Sequence, residues 1–104
     1  MNQPPGDRAT TRIERSFRGI TPRLAVRYLE GLGGEVVETA GDLAEPSGEA
    51  TVEADDWRAT LSATRVSIGP TLTLTEVRVT FEGDPATLND LVESFAKKAM
   101  RAGG

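Results

Sequence analysis

Neither cysteine nor histidine occurs in this sequence of 104 residues. Without cysteine there is no disulfide framework and no thiolate metal site, which fits a reducing compartment. Without histidine there is no Ser-His-Asp or Cys-His nucleophile pair, no imidazole ligand for zinc, and no imidazole proton shuttle near neutral pH. Aromatic residues are scarce, at 5%, with a single tryptophan. No apolar run approaches the ~20 residues that cross a bilayer. The first ten residues lack the apolar stretch of a signal peptide. These absences predict a cytoplasmic protein that is not an enzyme and holds no metal or cofactor.

What is present suits one globular domain. Apolar residues make up 38% and charged residues 27% of the chain, values that belong to a folded protein rather than a disordered one. A chain of this length forms a single core and buries roughly two-thirds of its unfolded surface. Net charge is −4, unevenly spread. Residues 1–30 carry +3, with six arginines; residues 31–95 carry −10; residues 96–104 carry +3. Folding that brings these segments together cancels much of the asymmetry. Where it does not, the asymmetry marks a partner surface.

Residues 1–9 read as a disordered, proline-containing leader, and residues 10–104 as one α+β domain. From Thr10 to Ile20 the pattern is a strand, with Arg12, Glu14, Ser16 and Arg18 on one face and Ile13 and Phe17 on the other. Arg15 interrupts the apolar face, so the strand either lies at a sheet edge or leaves that side chain to snorkel. Thr21-Pro22 opens a helix whose stripe is Leu24, Ala25, Tyr28, Leu29 and Leu32, and Gly33-Gly34 closes it. Residues 35–39 form a short strand and residues 40–48 a turn-rich connection. Ala50, Val52 and Ala54 point inward from the next strand. After Asp55-Asp56, Trp57, Ala59, Leu61 and Ala63 point inward from another.

Past the Gly69-Pro70 turn the apolar phase changes. Leu72 and Leu74 are even-numbered, Val77, Val79 and Phe81 odd. The preferred solution is a bulge near Thr75-Glu76 that returns both sets to one face; the alternative leaves the leucines on the opposite face. Asp84-Pro85 then caps a last helix with the stripe Leu88, Leu91, Val92, Phe95, Ala96 and Ala99. Glu93 stands one turn before Lys97. Lys97, Lys98 and Arg101 suit the negative end of the helix dipole.

The order strand, helix, four strands, helix predicts a two-layer domain: an antiparallel five-stranded sheet with both helices on one face. The predicted core is Ile13, Phe17, Leu24, Tyr28, Leu29, Val52, Trp57, Leu61, Val79, Phe81, Leu88, Leu91, Val92 and Phe95. This element order resembles the half-repeat of the TATA-binding-protein-like fold. Four segments carry a second resemblance: GITPRL from Gly19, YLEGLGGE from Tyr28, VRVTFEGD from Val77 and FAKKAMRAGG from Phe95. They look like the C-terminal domain of MoaD-related proteins, over roughly residues 12–104. In that family a domain of unknown function follows a ubiquitin-like sulfur-carrier domain. Only a short leader stands before Thr10 here, so the carrier role of that preceding domain is not transferred.

Four features are candidates for chemistry. Arg101, Gly103 and Gly104 resemble the tail of ubiquitin-like modifiers, which glycine keeps narrow enough to thread into an E1-like activating enzyme. The plainer account is a glycine-terminated helix in a chain with eleven glycines. Trp57, with Tyr28 and Phe95, is either core or the wall of a cleft gripping a small apolar ligand, and core is preferred. Glu53, Asp55 and Asp56 have the composition of a magnesium or acid–base cluster but the position of a turn. Arg12, Arg18, Arg58 and Arg78 line the outer sheet face with Thr60, Ser62 and Thr64. Net negative charge and the lack of stacking aromatics there disfavour nucleic acid. Gly31-Leu32-Gly33-Gly34 ends a helix instead of opening one, so it is no phosphate loop.

The reading that follows is a non-catalytic interaction or accessory domain. The family resemblance points to a protein partner in a ubiquitin-like or molybdopterin-related sulfur-carrier system, or to an E1-like enzyme. The alternatives are the apolar-ligand pocket and the Gly-Gly tail acting as a modifier or carrier itself.

Overall fold

In the computed structural model, which describes residues 10–43 and 48–103, seven elements follow one another. They are β1 (Thr11–Arg18), α1 (Pro22–Gly31), β2 (Glu35–Ala40), β3 (Glu49–Glu53), β4 (Trp57–Ile68), β5 (Leu72–Gly83) and α2 (Pro85–Gly103). The strands form one sheet in the order β1-β5-β4-β3-β2, every neighbouring pair antiparallel. The first two strands therefore lie at opposite edges and run in the same direction, and α1 carries the chain from one edge to the other. The expected leader falls outside the described residues, as do residues 44–47 of the turn-rich connection.

Local chemistry sets the helix ends. The Thr21 hydroxyl accepts the Leu24 amide at 3.1 Å, and Pro22 occupies the first turn, where no amide partner is needed. At the other end the Gly33 amide donates to Glu30 at 3.1 Å and the Gly34 amide to Leu29 at 3.0 Å. This paired closure requires a left-handed residue, and Gly33 supplies it with φ of 106°. Asp84 caps α2 by accepting the Thr87 amide at 3.2 Å.

Both helices cover the same sheet face. Ala25, Val26 and Leu29 from α1 join Leu88, Leu91, Val92, Phe95 and Ala99 from α2 in one cluster with Val52, Trp57, Ala59, Leu61, Val77, Val79 and Phe81. Phe95 is its centre. Its ring lies 4.9 Å from Phe17, 5.8 Å from Tyr28 and 5.7 Å from Phe81, in tilted or edge-on contacts. Side chains buried this completely contribute about 1.5–3 kcal/mol each.

The structure corrects three details. β5 has no bulge at Thr75-Glu76: its register with β4 is unbroken from Trp57↔Gly83 to Ile68↔Leu72, and with β1 from Thr11↔Gly83 to Arg18↔Glu76. Leu72 and Leu74 thus stay on the face opposite Val77, Val79 and Phe81, opposite Ile68 and Val66 of β4. The bulge is in β2, between Val36 and Glu38, and leaves Val37 exposed. The core also shifts. Ile13, Phe17, Leu24 and Tyr28 are only half-buried against it, whereas Ile20, Val26 and Val77 are fully inside. Ile13 and Phe17 sit on β1, which among the described residues has a strand on one side only, and this accounts for their partial cover. Finally, Glu93 and Lys97 do not pair; Arg18–Glu76, Arg58–Glu53 and Arg78–Glu14 instead join strand to strand.

Candidate functional site

With one face filled by helices, the bare face of the sheet is the surface left for function, and strand registers fix what it displays. One row runs Arg12–Glu82–Arg58–Glu53 across four strands. The next is Glu14–Thr80–Thr60–Thr51–Glu38, a threonine ladder bounded by carboxylates. Then come Ser16–Arg78–Ser62–Glu49 and Arg18–Glu76–Thr64.

The four arginines expected on this face are all there, but they do not form a basic strip. Arg58 meets Glu53 at 3.3 Å, Arg18 meets Glu76 at 3.4 Å, and Arg78 approaches Glu14 at 3.9 Å. Carboxylates alternate with arginines across the strands, six against four in these rows, and leave a weakly acidic, hydrogen-bonding surface. Long-range attraction for a phosphate backbone is correspondingly weak.

At one end the face continues onto an arm. β3 follows β4 only to Ser62, and β1 follows β5 only from Glu76. Beyond those points residues 64–75 form a two-stranded ribbon. Its outer side carries Val66, Ile68, Leu72 and Leu74, paired Val66↔Leu74 and Ile68↔Leu72. Leu72 is 51% exposed. Sequence reasoning preferred a bulge in β5 and held this placement of Leu72 and Leu74 as its alternative; the phase of the two leucines was the signal for it.

At the opposite end lie Trp57 and the Asp55-Asp56 turn. Trp57 is buried in the core. Its ring fits over Gly34, where an added Cβ would stand 2.5 Å from the indole. Tyr28 and Phe95 touch each other, but among the described residues no ring contact joins either to Trp57. Neither Tyr28 nor Phe95 lines the two grooves that Trp57 borders. The groove beside Trp57, about 530 Å³, opens to solvent and is lined by Glu53, Asp55, Asp56, Arg58, Glu82 and Asp84 among others.

The acidic turn is tied into the fold. The Thr87 hydroxyl donates to Asp56 at 3.1 Å and lies 3.5 Å from Asp84, and the Ala54 amide donates to the Trp57 carbonyl at 2.9 Å. Gly83 passes so close that a Cβ on it would meet the Asp56 carbonyl at 2.5 Å. Among the described residues, no three acidic side chains converge as a metal site would require.

α2 extends through Gly103, so that glycine closes the helix, and Gly104 lies outside the described residues. Arg101 is exposed in the last turn, where its charge suits the helix dipole. Among the described residues no helix is long and apolar enough to cross a membrane.

Comparison with known proteins gives one positive finding. Residues 13–104 match the family model described as archaeal MoaD-like protein. No curated protein gives a significant match.

Proposed function

Because the chain belongs to the archaeal MoaD-like family, we propose that it is a non-catalytic interaction domain serving a ubiquitin-like sulfur-carrier or molybdopterin-related transfer system. The observation that supports this reading is the division of labour between the sheet faces. One face is filled by its own helices, while the other turns Thr60, Thr80 and the strand-to-strand ion pairs outward, with Thr51 buried at the end of the threonine ladder. A weakly acidic surface of hydroxyls and paired charges fits a protein partner better than a polyanion. It carries few groups able to break bonds.

The apolar-ligand reading loses ground because the groove beside Trp57 is open to solvent and half of its lining residues are acidic, whereas small-molecule pockets bury most of the ligand's surface.

The test is a titration of the isotopically labelled protein with the ubiquitin-like sulfur carrier of the same organism, followed by NMR. Amide shifts concentrated at Thr51, Thr60, Thr80 and Arg78 are expected. Thr60→Glu, which sets a carboxylate beside Thr80 and Thr51, should weaken binding by about tenfold. Shifts confined to the helical side, or no shifts at all, defeat the proposal.

A further inference from the structure

The charges of the helix layer are sorted by position. Gly19, just ahead of α1, donates its amide to Thr75 at the base of the arm at 3.1 Å, and α1 closes at Gly34 beneath the Trp57 ring. α2 starts at that same end, where the Asp84 amide donates to the Asp56 carbonyl at 3.5 Å. The helices therefore run in opposite directions, with Tyr28 meeting Phe95 between them. Toward the Trp57 end from that contact stand Glu30, Asp90 and Glu93. Toward the arm stand Arg23, Arg27, Lys97, Lys98 and Arg101. Every charged residue of the two helices obeys this division. Helix stability explains only half of it. In α2 the acids lead and the bases trail, as its dipole favours. In α1, which runs the other way, the same division puts Arg23 in the first turn and Glu30 in the last, against its dipole. Packing the helices antiparallel also sets bases beside bases, where a mixed arrangement would attract. Among the described residues none of these five cations has an ion-pair partner. Local stability is forgone on two counts, and breaches of that kind gather at functional sites.

We infer that the arm-side half of the helix layer, Arg27 of α1 with Lys97, Lys98 and Arg101 of α2, docks a short acidic stretch of a partner protein. Arg27, Lys97 and Arg101 are exposed and Lys98 is half-buried. Half-buried Leu24 and Tyr28 and the exposed Met100 add apolar contact among the charges. The boundary in the layer selects the occupant. A nucleic-acid backbone or an anionic bilayer is an extended array of negative charge. Laid across the helices it would meet Glu93 one turn from Lys97, about 6 Å along the axis, well inside a Debye length. Glu30 and Asp90 lie on the same repelling side, and the chain as a whole carries −4. A short acidic segment fits on the basic half and stops at the boundary. This surface lies on the layer opposite the bare sheet face, so one chain can hold two proteins at once.

Titration of the isotopically labelled full chain with a short oligoglutamate peptide, followed by NMR at low salt, tests this. The amides of Arg27, Lys97, Lys98 and Arg101 should move, while those of Thr60 and Thr80 on the sheet face stay in place. Arg27→Glu should weaken binding by at least about tenfold. It sits in the middle of α1, where glutamate is as good a helix former as arginine, so the fold is kept. The milder pair Lys97→Gln with Arg101→Gln should also weaken binding, whereas Arg58→Gln on the sheet face should not. A DNA duplex and phosphatidylserine vesicles, offered at the same concentration of negative charge, should bind more weakly than the peptide. No shifts, shifts centred on the sheet face, an affinity indifferent to Arg27→Glu, or tighter binding to the duplex or the vesicles would overturn the inference.

Discussion

Gly34 shows how much a single hydrogen atom can matter. A Cβ there would stand 2.5 Å from the Trp57 ring and 2.5 Å from a Val52 methyl, both side chains of the core. Gly34→Ala should therefore cost about 1–3 kcal/mol through overpacking. Urea denaturation followed by emission of the single tryptophan would measure that loss and report the displaced indole. Asp84→Ala should cost about 1 kcal/mol, since it frees the Thr87 amide at the start of α2, and the same denaturation curve reads it. The caps were legible in the sequence because capping is chemistry between near neighbours. The close approach at Gly34 was not. It depends on Trp57 arriving from β4, and Gly34 by itself reads only as a helix stop.

Among the elements, β5 offers the sharpest contrast. Leu72 and Leu74 lie on the bare side of the arm, while Val79 is wholly buried. Leu72→Thr should change monomer stability by no more than about 0.5 kcal/mol, whereas Val79→Ala should cost about 2 kcal/mol or more through the cavity it opens. Phe95→Ala, which empties the place where Phe17, Tyr28 and Phe81 meet, should cost roughly 3–5 kcal/mol. Thermal unfolding of the three variants side by side checks the ranking. Periodicity located both helices and all five strands, because a single buried face imposes period on sequence. It misjudged β5 because the strand outruns its helices. Where no core lies overhead, apolar residues obey the pleat and nothing pulls them inward.

At the scale of the molecule, the arginines of the bare face illustrate what a sequence leaves unsaid. Their side was readable from alternation. Their partners Glu14, Glu53 and Glu76 depended on strand order and register, which no local pattern encodes. Both members of the Arg58–Glu53 pair are about half exposed, and such pairs contribute less than about 1 kcal/mol. Arg58→Ala should accordingly leave the melting temperature nearly unchanged while altering the charge pattern that a partner meets.

The path of the chain across the sheet has a consequence for how the protein comes to be. Among the seven elements β1 is made before the others, yet among the described residues its strand neighbour is β5, and Arg18 meets Glu76 across 58 positions. Contacts between residues so distant in sequence slow folding, since loop entropy is lost before packing repays it. A nascent chain ending before β5 leaves Phe17 without Phe95 and β1 without a ladder. Segments made after β1, β5 and the helix that carries Phe95, are thus what seal it into place.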